Sequence, residues 1–294
     1  MNASDSELRD VLTRIAAALE RMAPPARAKP DFASCVAARW RSSSTSCYLE
    51  AVQHVHRMDA DWLIGVEQQH QMIDRNTKQF VDGKPANNVL LTGSRGTGKS
   101  SLVKAMLTRY SERGLRLIEV EKEHLNDLPD IVDQIANEPY RFLIFCDDLS
   151  FDAGDGSYKA LKAILDGSIA ASTPNVMLYA TSNRRHLLPE YFHENEETKY
   201  VGEEVHFGES VEEKVSLSER FGLWISFYPF SQEEYLAAVR SWIVQLGGAV
   251  SLDATAQAAL DRDSLQWALQ RGSRSGRVAY QYAKDFVGRN EREL

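Results

Sequence analysis

A glycine-rich stretch between an apolar run and an amphipathic run constrains this chain more than any other feature. The segment NVLLTGSRGTGKSSLVKAML contains Gly93, four further residues, and then Gly98, Lys99 and Ser100. Glycines let consecutive backbone N–H groups curl around phosphate oxygens, because no Cβ stands in the way. A helix that begins at the end of the loop adds the positive end of its dipole. A strand, a glycine loop and a helix in this order predict a phosphate-binding loop.

In such a loop the lysine and the hydroxyl residue have separate roles. Lys99 is expected to reach the β- and γ-phosphates of a nucleoside triphosphate, and the Ser100 hydroxyl is expected to ligate Mg²⁺. The residues of this loop that we expect to contact the nucleotide are Gly93, Ser94, Arg95, Gly96, Thr97, Gly98, Lys99, Ser100 and Ser101.

A second apolar run ends in two adjacent acids. RFLIFCDDLSF extends from Arg141 to Phe151, and its apolar part predicts a buried strand. In P-loop proteins a strand beside the first one delivers an acidic residue to Mg²⁺. Asp147 is therefore the predicted metal ligand, directly or through water, and Asp148 is predicted to orient or deprotonate the attacking water. The alternative is a strand end closed by an Asx turn, which DDLS also allows.

The composition is that of a soluble globular protein. Of the 294 residues, 43% are hydrophobic and 26% are charged, and the net charge is −8. This charge argues against broad non-specific binding to nucleic acid but leaves a local basic site open. Cys35, Cys47 and Cys146 have no metal-binding spacing and favour a reducing, cytoplasmic compartment. We find neither a signal peptide nor an apolar run long enough to span a membrane.

Short apolar runs alternate with amphipathic stretches from Asn88 onwards, which predicts a parallel sheet covered on both faces. Residues 5–22 have helical spacing and predict a packing helix or, alternatively, a helix for self-association or a partner. Residues 23–31 contain three prolines and predict a linker. Residues 32–87 are predicted to be largely helical, and residues 231–294 are predicted to form a small helical bundle.

Residues 189–214 form an acidic segment with nine glutamates against two lysines. Within it, KYVGEEVHFG is a candidate hairpin. The segment predicts either a solvated surface loop or a loop that contacts a partner, because long loops in compact domains are often functional.

Together these motifs resemble the AAA+ ATPase superfamily. The resemblance rests on GSRGTGKS, LIFCDD, VMLYATSNRR, SLSERFG and RGSRSGRVAYQ in this order, and it spans about Asp59 to Phe286. More narrowly, NNVLLTGSRGTGKSSLVKA, FCDDLSF, YATSNRRHLLPE and SLSERFGLWISF are similar to a bacterial family of predicted ATP-binding proteins of unknown function.

The resemblance implies an α/β fold, with a P-loop NTPase core of five parallel strands in the order 5-1-4-3-2. It also implies a C-terminal helical lid, a helical N-terminal extension, and ATP with Mg²⁺ as cofactors. The expected domains are residues 1–30 for the N-terminal helix and linker, 31–228 for the nucleotide-binding core with its helical lead-in, and 229–294 for the lid.

Further site residues follow from the resemblance alone. Asn183, at the end of YATSN, is similar to the sensor 1 residue that touches the γ-phosphate or the attacking water. Arg277 in SGRVAYQ is similar to the sensor 2 arginine of the lid, with Arg274 as its rival. Leu63, Ile64 and Gly65 are expected to border the adenine.

The resemblance also implies an arginine finger. Arg220 in SLSERFG is similar to the arginine that projects from one subunit onto the γ-phosphate of its neighbour. Arg184 and Arg185 are rivals for this role. A finger acting in trans implies a homo-oligomer, arranged as a ring or a spiral.

One residue departs from the pattern of most AAA+ ATPases, which follow the metal aspartate with glutamate. Here the second acid is Asp148, whose carboxylate lies about 1.5 Å further back for the same backbone. Slow, switch-like hydrolysis is consistent with this change.

Three functions fit these features. The favoured one is an AAA+ ATPase that hydrolyses ATP to drive assembly or remodelling of a protein partner, contacted through residues 189–214. The alternative is a nucleic-acid-associated loader or switch, which the Asp-Asp pair favours and the net charge does not. A third is an ATP-binding scaffold that scarcely hydrolyses, and a kinase is the least favoured.

Overall fold

We describe a computed structural model of the chain. It covers residues 3–22, 28–42, 46–151, 161–162, 165, 173–184, 187, 199–201, 204–206, 217, 219–250 and 253–290.

The strands form one large sheet and one small hairpin. In chain order they are β1 (Ala37–Ser42), β2 (Cys47–Ala51), β3 (Val89–Gly93), β4 (Leu115–Glu119), β5 (Arg141–Cys146), β6 (Val176–Ser182), β7 (Lys199–Val201), β8 (Glu204–His206) and β9 (Leu223–Phe227). The large sheet has seven strands in the order β2-β1-β4-β5-β6-β3-β9. The hairpin pairs β7 with β8, as KYVGEEVHFG predicts.

The helices with described bounds lie before, between and after these strands. They are α1 (Ala3–Met22), α2 (Glu67–Val81), α3 (Lys99–Tyr110), α4 (Leu128–Ile135), α5 (Gln232–Gln245), α6 (Ala254–Gln270) and α7 (Gly276–Asn290). None of the helices in the described part of the chain is long and apolar enough to cross a membrane.

The predicted α/β fold is confirmed in its central five strands. β9, β3, β6, β5 and β4 are neighbours in that order and all pair in parallel, which is the order 5-1-4-3-2. A parallel sheet of this kind carries helices on both faces, so its strands are buried on both sides and read as continuous apolar runs. On β5, for example, Ile144 faces one apolar cluster with α4, and Phe145 faces the other with α2 and α3.

The prediction of five strands and of a largely helical segment over residues 32–87 is wrong at one edge of the sheet. β1 joins β4 in parallel, and β2 joins β1 antiparallel, so the sheet has seven strands. β1 does not read as a strand in the sequence, because charged residues flank its buried tryptophan. Trp40 is buried, while Arg39 pairs with Glu119 and Arg41 pairs with Glu50. Of the predicted helical lead-in, α2 is found.

The C-terminal helices form a separate apolar cluster. α5, α6 and α7 pack around Tyr235, Ile243, Leu260 and Tyr282. A Ser231 and Glu234 capping box begins α5, since each side chain bonds the backbone N–H of the other. These helices match the predicted bundle, while the domain boundaries after residues 30 and 228 stay predictions.

α1 is helical as its spacing predicts, but its apolar side chains do not pack against the core. Five of them are between 48% and 59% exposed. They are Leu8, Val11, Leu12, Ile15 and Leu19. The interpretation of α1 as a helix that packs within the chain is therefore not supported.

Candidate nucleotide site

The parallel order of the sheet brings three chain segments to one edge. β3 lies between β6 and β9, and β6 lies between β3 and β5. The segments that follow β3, β5 and β6 therefore meet at the carboxyl ends of their strands, which is where ligands bind in open α/β sheets. They are the glycine loop, the two aspartates after Cys146, and Asn183, which directly follows the last two residues of β6, Thr181 and Ser182.

The glycine loop adopts backbone conformations that other residues rarely take. Gly93 has a φ of 135°, and a Cβ there would lie 2.0 Å from the carbonyl oxygen of Phe227. Gly96 has a φ of 78°, and a Cβ there would lie 2.8 Å from Oγ of Ser275. Glycine is thus required at these two positions both by conformation and by close neighbours. The loop ends at Gly98, and α3 begins at the next residue, Lys99.

Lys99 is buried at the first residue of α3, and its ammonium group contacts the loop itself. Nζ donates to the carbonyl oxygens of Gly93 at 2.7 Å and Ser94 at 2.8 Å, and to Oδ1 of Asn183 at 3.1 Å. Burial lowers the pKa of Lys99 from 10.5 to about 8, against the opposing effect of Asp147 and Asp148. A buried charge with incomplete compensation is suited to an anionic ligand.

Asp147 has the contacts expected of a metal ligand. One of its oxygens, Oδ1, accepts hydrogen bonds from the hydroxyl groups of Ser100 and Thr181, both at 2.6 Å. Mg²⁺ in nucleotide sites takes oxygen ligands, with one or two carboxylates beside substrate phosphates and waters. The Ser100 hydroxyl and the Asp147 carboxylate are such ligands and already lie together, so these residues fit the cation.

Asp148 adopts a left-handed backbone conformation with a φ of 55°. Its N–H donates to Oγ1 of Thr181 at 2.9 Å, and its carboxylate accepts from Nδ2 of Asn183 and faces Arg95 at 3.5 Å. Aspartate and asparagine adopt this conformation several-fold more often than most residues. The departure from glutamate at this position therefore has a local physical reason.

A pocket of about 560 Å³ opens beside these residues. The segment before α2, the glycine loop and the lid line it together. From the predicted set it is lined by Leu63, Ile64, Arg95, Gly96, Thr97, Gly98, Lys99, Ser100, Ser101, Asp147, Asp148, Asn183 and Arg277.

Three predicted contact residues lie beside the pocket rather than on its wall. Gly93 and Ser94 face Lys99 through their carbonyl groups. Gly65 has a φ of 76°, donates its N–H to Glu67, and lies against the side chain of Glu234. These residues therefore shape the site through their neighbours.

Of the arginines predicted to act as sensor or finger, some line the pocket and others lie outside it. Arg277 lines the pocket, and its N–H donates to the carbonyl oxygen of Gly96 at 3.4 Å, whereas its rival Arg274 is not part of the lining. Arg220 lies just before β9, outside the lining of its own pocket. The guanidinium of Arg184 donates to the carbonyl oxygen of Phe151 at 3.1 Å.

Two predictions concern residues that the structure describes incompletely. Arg185 lies outside the described residues. The acidic segment 189–214 also lies outside them, except for the backbone of β7 and β8. The rival role of Arg185 and the partner role of this segment stay predictions.

Sequence reasoning missed two groups of pocket residues. Thr181 holds both aspartates through one hydroxyl, and its position at the end of the VMLYAT run was the available signal. Trp62, Trp242 and Tyr280 line the pocket as a contiguous aromatic group, with ring centroids 6.2 Å and 4.8 Å apart. No local pattern joins these aromatics, because they come from three distant segments that only the fold brings together.

Comparison with known proteins identifies the family and the fold. The model of a family described as "Protein of unknown function (DUF815)" matches residues 33–290. Among solved structures, a single-substitution variant of RuvB from Thermotoga maritima is similar, with 18% identity, a TM-score of 0.51, and 78% of this chain and 64% of that chain covered. C. elegans PCH-2 is also similar, at 17% identity and a TM-score of 0.49, with 76% and 63% covered.

The RuvB variant has the AAA+ P-loop ATPase fold, and so has this chain. The first RuvB structures match over about 64% of their own length, so the chain spans less than two thirds of them. Among curated proteins no match was found.

The lowered pKa of Lys99 predicts how stability depends on pH. Between about 8 and 10.5 the unfolded chain keeps this proton and the folded chain has released it, so stability rises with pH over this range. Lys99→Met lacks this contribution. We expect the free energy of unfolding of the wild type to rise relative to that of Lys99→Met across this range, in urea unfolding without nucleotide. A difference that stays constant with pH would contradict the burial of this charge.

Proposed function

We propose that this chain, which belongs to the family described as protein of unknown function (DUF815), binds ATP with Mg²⁺ and hydrolyses it. One observation carries the proposal: a buried lysine, a hydroxyl–carboxylate pair and a second carboxylate meet at the carboxyl edge of the sheet. These residues are Lys99, Ser100 with Asp147, and Asp148. A P-loop NTPase requires these groups at this edge.

The phosphates would be held by the loop and by cations from two sides. The backbone of the loop and the N-terminus of α3 supply N–H groups. Lys99 would exchange its contacts with the carbonyl groups of Gly93 and Ser94 for phosphate oxygens, and Arg277 would approach from the lid. Ser100 and Asp147 would hold Mg²⁺, which when bound neutralises charge that develops on the phosphates.

Asp148 would act on the water that attacks the γ-phosphate. Its carboxylate is exposed in the pocket while its backbone is held by Thr181. Asn183 bonds both Lys99 and Asp148, so it links the phosphate-binding cation to the acid and would orient the water. A positioned general base contributes roughly 10² to 10⁴ in rate.

The aromatic part of the pocket would hold the adenine. Trp62, Trp242 and Tyr280 offer ring faces, and Ile64 adds an aliphatic contact. The pocket volume of about 560 Å³ is within the usual range for small-molecule sites, about 300 to 1,000 Å³. Since Trp242 and Tyr280 belong to α5 and α7, base binding would also position the lid.

We further propose a homo-oligomer in which Arg220 reaches the site of a neighbouring subunit. The proposal is supported by the AAA+ fold and by the position of Arg220 outside the lining of its own pocket. The oligomer would use ATP turnover to assemble or remodel a protein partner through segment 189–214. A cytoplasmic location is supported by the free thiols of Cys35, Cys47 and Cys146.

A loader or switch ATPase that works with nucleic acid is the second candidate. The Asp147–Asp148 pair favours it, because a shorter second acid fits slow, switch-like turnover. The net charge of −8 does not favour it.

Hydrolysis should depend on Lys99 and Asp148. We expect Lys99→Ala to abolish release of phosphate from ATP, and Asp148→Asn to lower it by roughly 10² or more while ATP still binds. Lys84→Ala, an exposed lysine outside the pocket, is the matched control and should match the wild type. Strong stimulation by single- or double-stranded DNA would favour the second candidate, and unchanged activity in Asp148→Asn would exclude Asp148 as the base.

The finger should act between subunits. Arg220→Ala should lower turnover by roughly 10³ or more, because it removes a charge from the transition state. A mixture of Arg220→Ala and Asp148→Asn subunits should regain activity, since some sites in a mixed oligomer receive an intact finger and an intact acid. Arg184→Ala is the control. If the mixture stays as inactive as its components, or light scattering shows a monomer with ATP, the finger in trans is wrong.

The partner should be held by the ATP-bound state. Asp148→Asn should retain ATP and therefore capture the partner from a cell extract, as identified by mass spectrometry. Lys99→Ala, which should bind no ATP, is the control for capture that does not depend on nucleotide. Replacing the glutamates of segment 189–214 by glutamines should weaken the capture, and an unchanged yield would remove this segment as the contact.

A further inference from the structure

The glycine loop carries an arginine whose side chain the proposed hydrolysis does not use. Arg95 is the third residue of the loop, and 75% of its side chain is exposed. It lines the pocket together with Lys99 and Asp148. The phosphate cradle needs only the backbone of this residue. Its guanidinium is therefore available for a separate role.

Arg95 and Asn183 hold the carboxylate of Asp148 from two sides. Nη2 of Arg95 lies 3.5 Å from Oδ2, and Nδ2 of Asn183 donates to Oδ1. Asn183 is itself fixed by Lys99 at 3.1 Å. The side chain of Asp148 is thus directed towards the loop, where the guanidinium of Arg95 and the amide of Asn183 face its carboxylate.

The net positive charge of the pocket lining favours the binding of a polyanion, which would compete with Asp148 for the guanidinium of Arg95. Five cationic side chains line the pocket, against the two carboxylates of Asp147 and Asp148. They are Arg57, Arg95, Lys99, Lys104 and Arg277. The terminal phosphate of a triphosphate carries more charge than one carboxylate and offers several oxygens to a planar guanidinium. A diphosphate lacks this group.

We propose that Arg95 is a phosphate-sensing residue that exchanges between two anions. Without nucleotide it holds Asp148 against the loop. When ATP binds, the terminal phosphate takes over the guanidinium, and Asp148 is released to face the attacking water. This inference rests on the proposed function, because it requires that the pocket binds ATP.

The first test compares a triphosphate with a diphosphate. Binding of the non-hydrolysable analogue AMP-PNP and of ADP, both with Mg²⁺, is followed by the fluorescence of Trp62 and Trp242 in the pocket. Arg95→Gln should weaken AMP-PNP binding by about tenfold or more, as expected for one charge-assisted hydrogen bond, and leave ADP binding within about twofold. Arg95→Lys should give an intermediate loss, because it keeps the charge without the planar fork. Equal losses for both nucleotides would overturn the proposal.

The second test measures the link between Arg95 and Asp148. When Arg95 is intact, Asp148→Asn should strengthen AMP-PNP binding. The guanidinium then no longer has to give up its ion pair with the Asp148 carboxylate to reach the terminal phosphate. This gain should shrink by about threefold or more when Arg95→Gln is also present. Lys104→Gln is the matched control: it removes another exposed cation of the pocket, and its effect should combine additively with that of Asp148→Asn.

The outcomes separate the inference from the function on which it rests. A wild type that binds both nucleotides, with additive effects of Arg95→Gln and Asp148→Asn, overturns the inference alone. A wild type that binds neither nucleotide overturns the proposed function and the inference together. Because Arg95 is exposed, its substitution leaves the core intact, and thermal unfolding of each variant checks this.

Discussion

Two adjacent carboxylates at the edge of an apolar sheet are the constraint on which the rest of this site depends. Asp147 and Asp148 follow a strand that is buried from Phe142 to Cys146, so the fold fixes where both charges emerge. Thr181, on the neighbouring strand, donates to Asp147 and accepts from the N–H of Asp148. A single hydroxyl therefore joins the ends of two parallel strands and separates the two acids into different environments.

Features formed by consecutive residues could be predicted from the sequence. Contacts between residues that are distant in the chain could not. The glycine loop and β5 could be predicted, because a phosphate cradle needs consecutive residues and a strand buried on both faces reads as an apolar run. β1 was missed, because Arg39 and Arg41 conceal a strand that buries Trp40. The contacts of Trp62 with Trp242 could not be foreseen, since residues 180 positions apart in the chain share no pattern.

The lid touches the loop at Gly96, one of the two glycines where a Cβ would clash with a neighbour. Gly96 lies against Ser275 and Arg277, and its carbonyl oxygen accepts the N–H of Arg277. A glycine at this position therefore serves two purposes, because its φ of 78° shapes the loop and its missing Cβ leaves room for the lid. This contact joins the loop directly to the first turn of α7. The contact between core and lid is in this way built on a glycine that the conformation of the loop itself requires.

The choice of aspartate at position 148 follows from the same local geometry and limits the chemistry of the site. A φ of 55° costs aspartate less than it costs glutamate, whose longer side chain lacks the short-range hydrogen bonds that favour this conformation. The short side chain places the carboxylate within reach of Arg95 and Asn183. The backbone conformation of Asp148, its short side chain and its pairing with Arg95 therefore belong to one local arrangement.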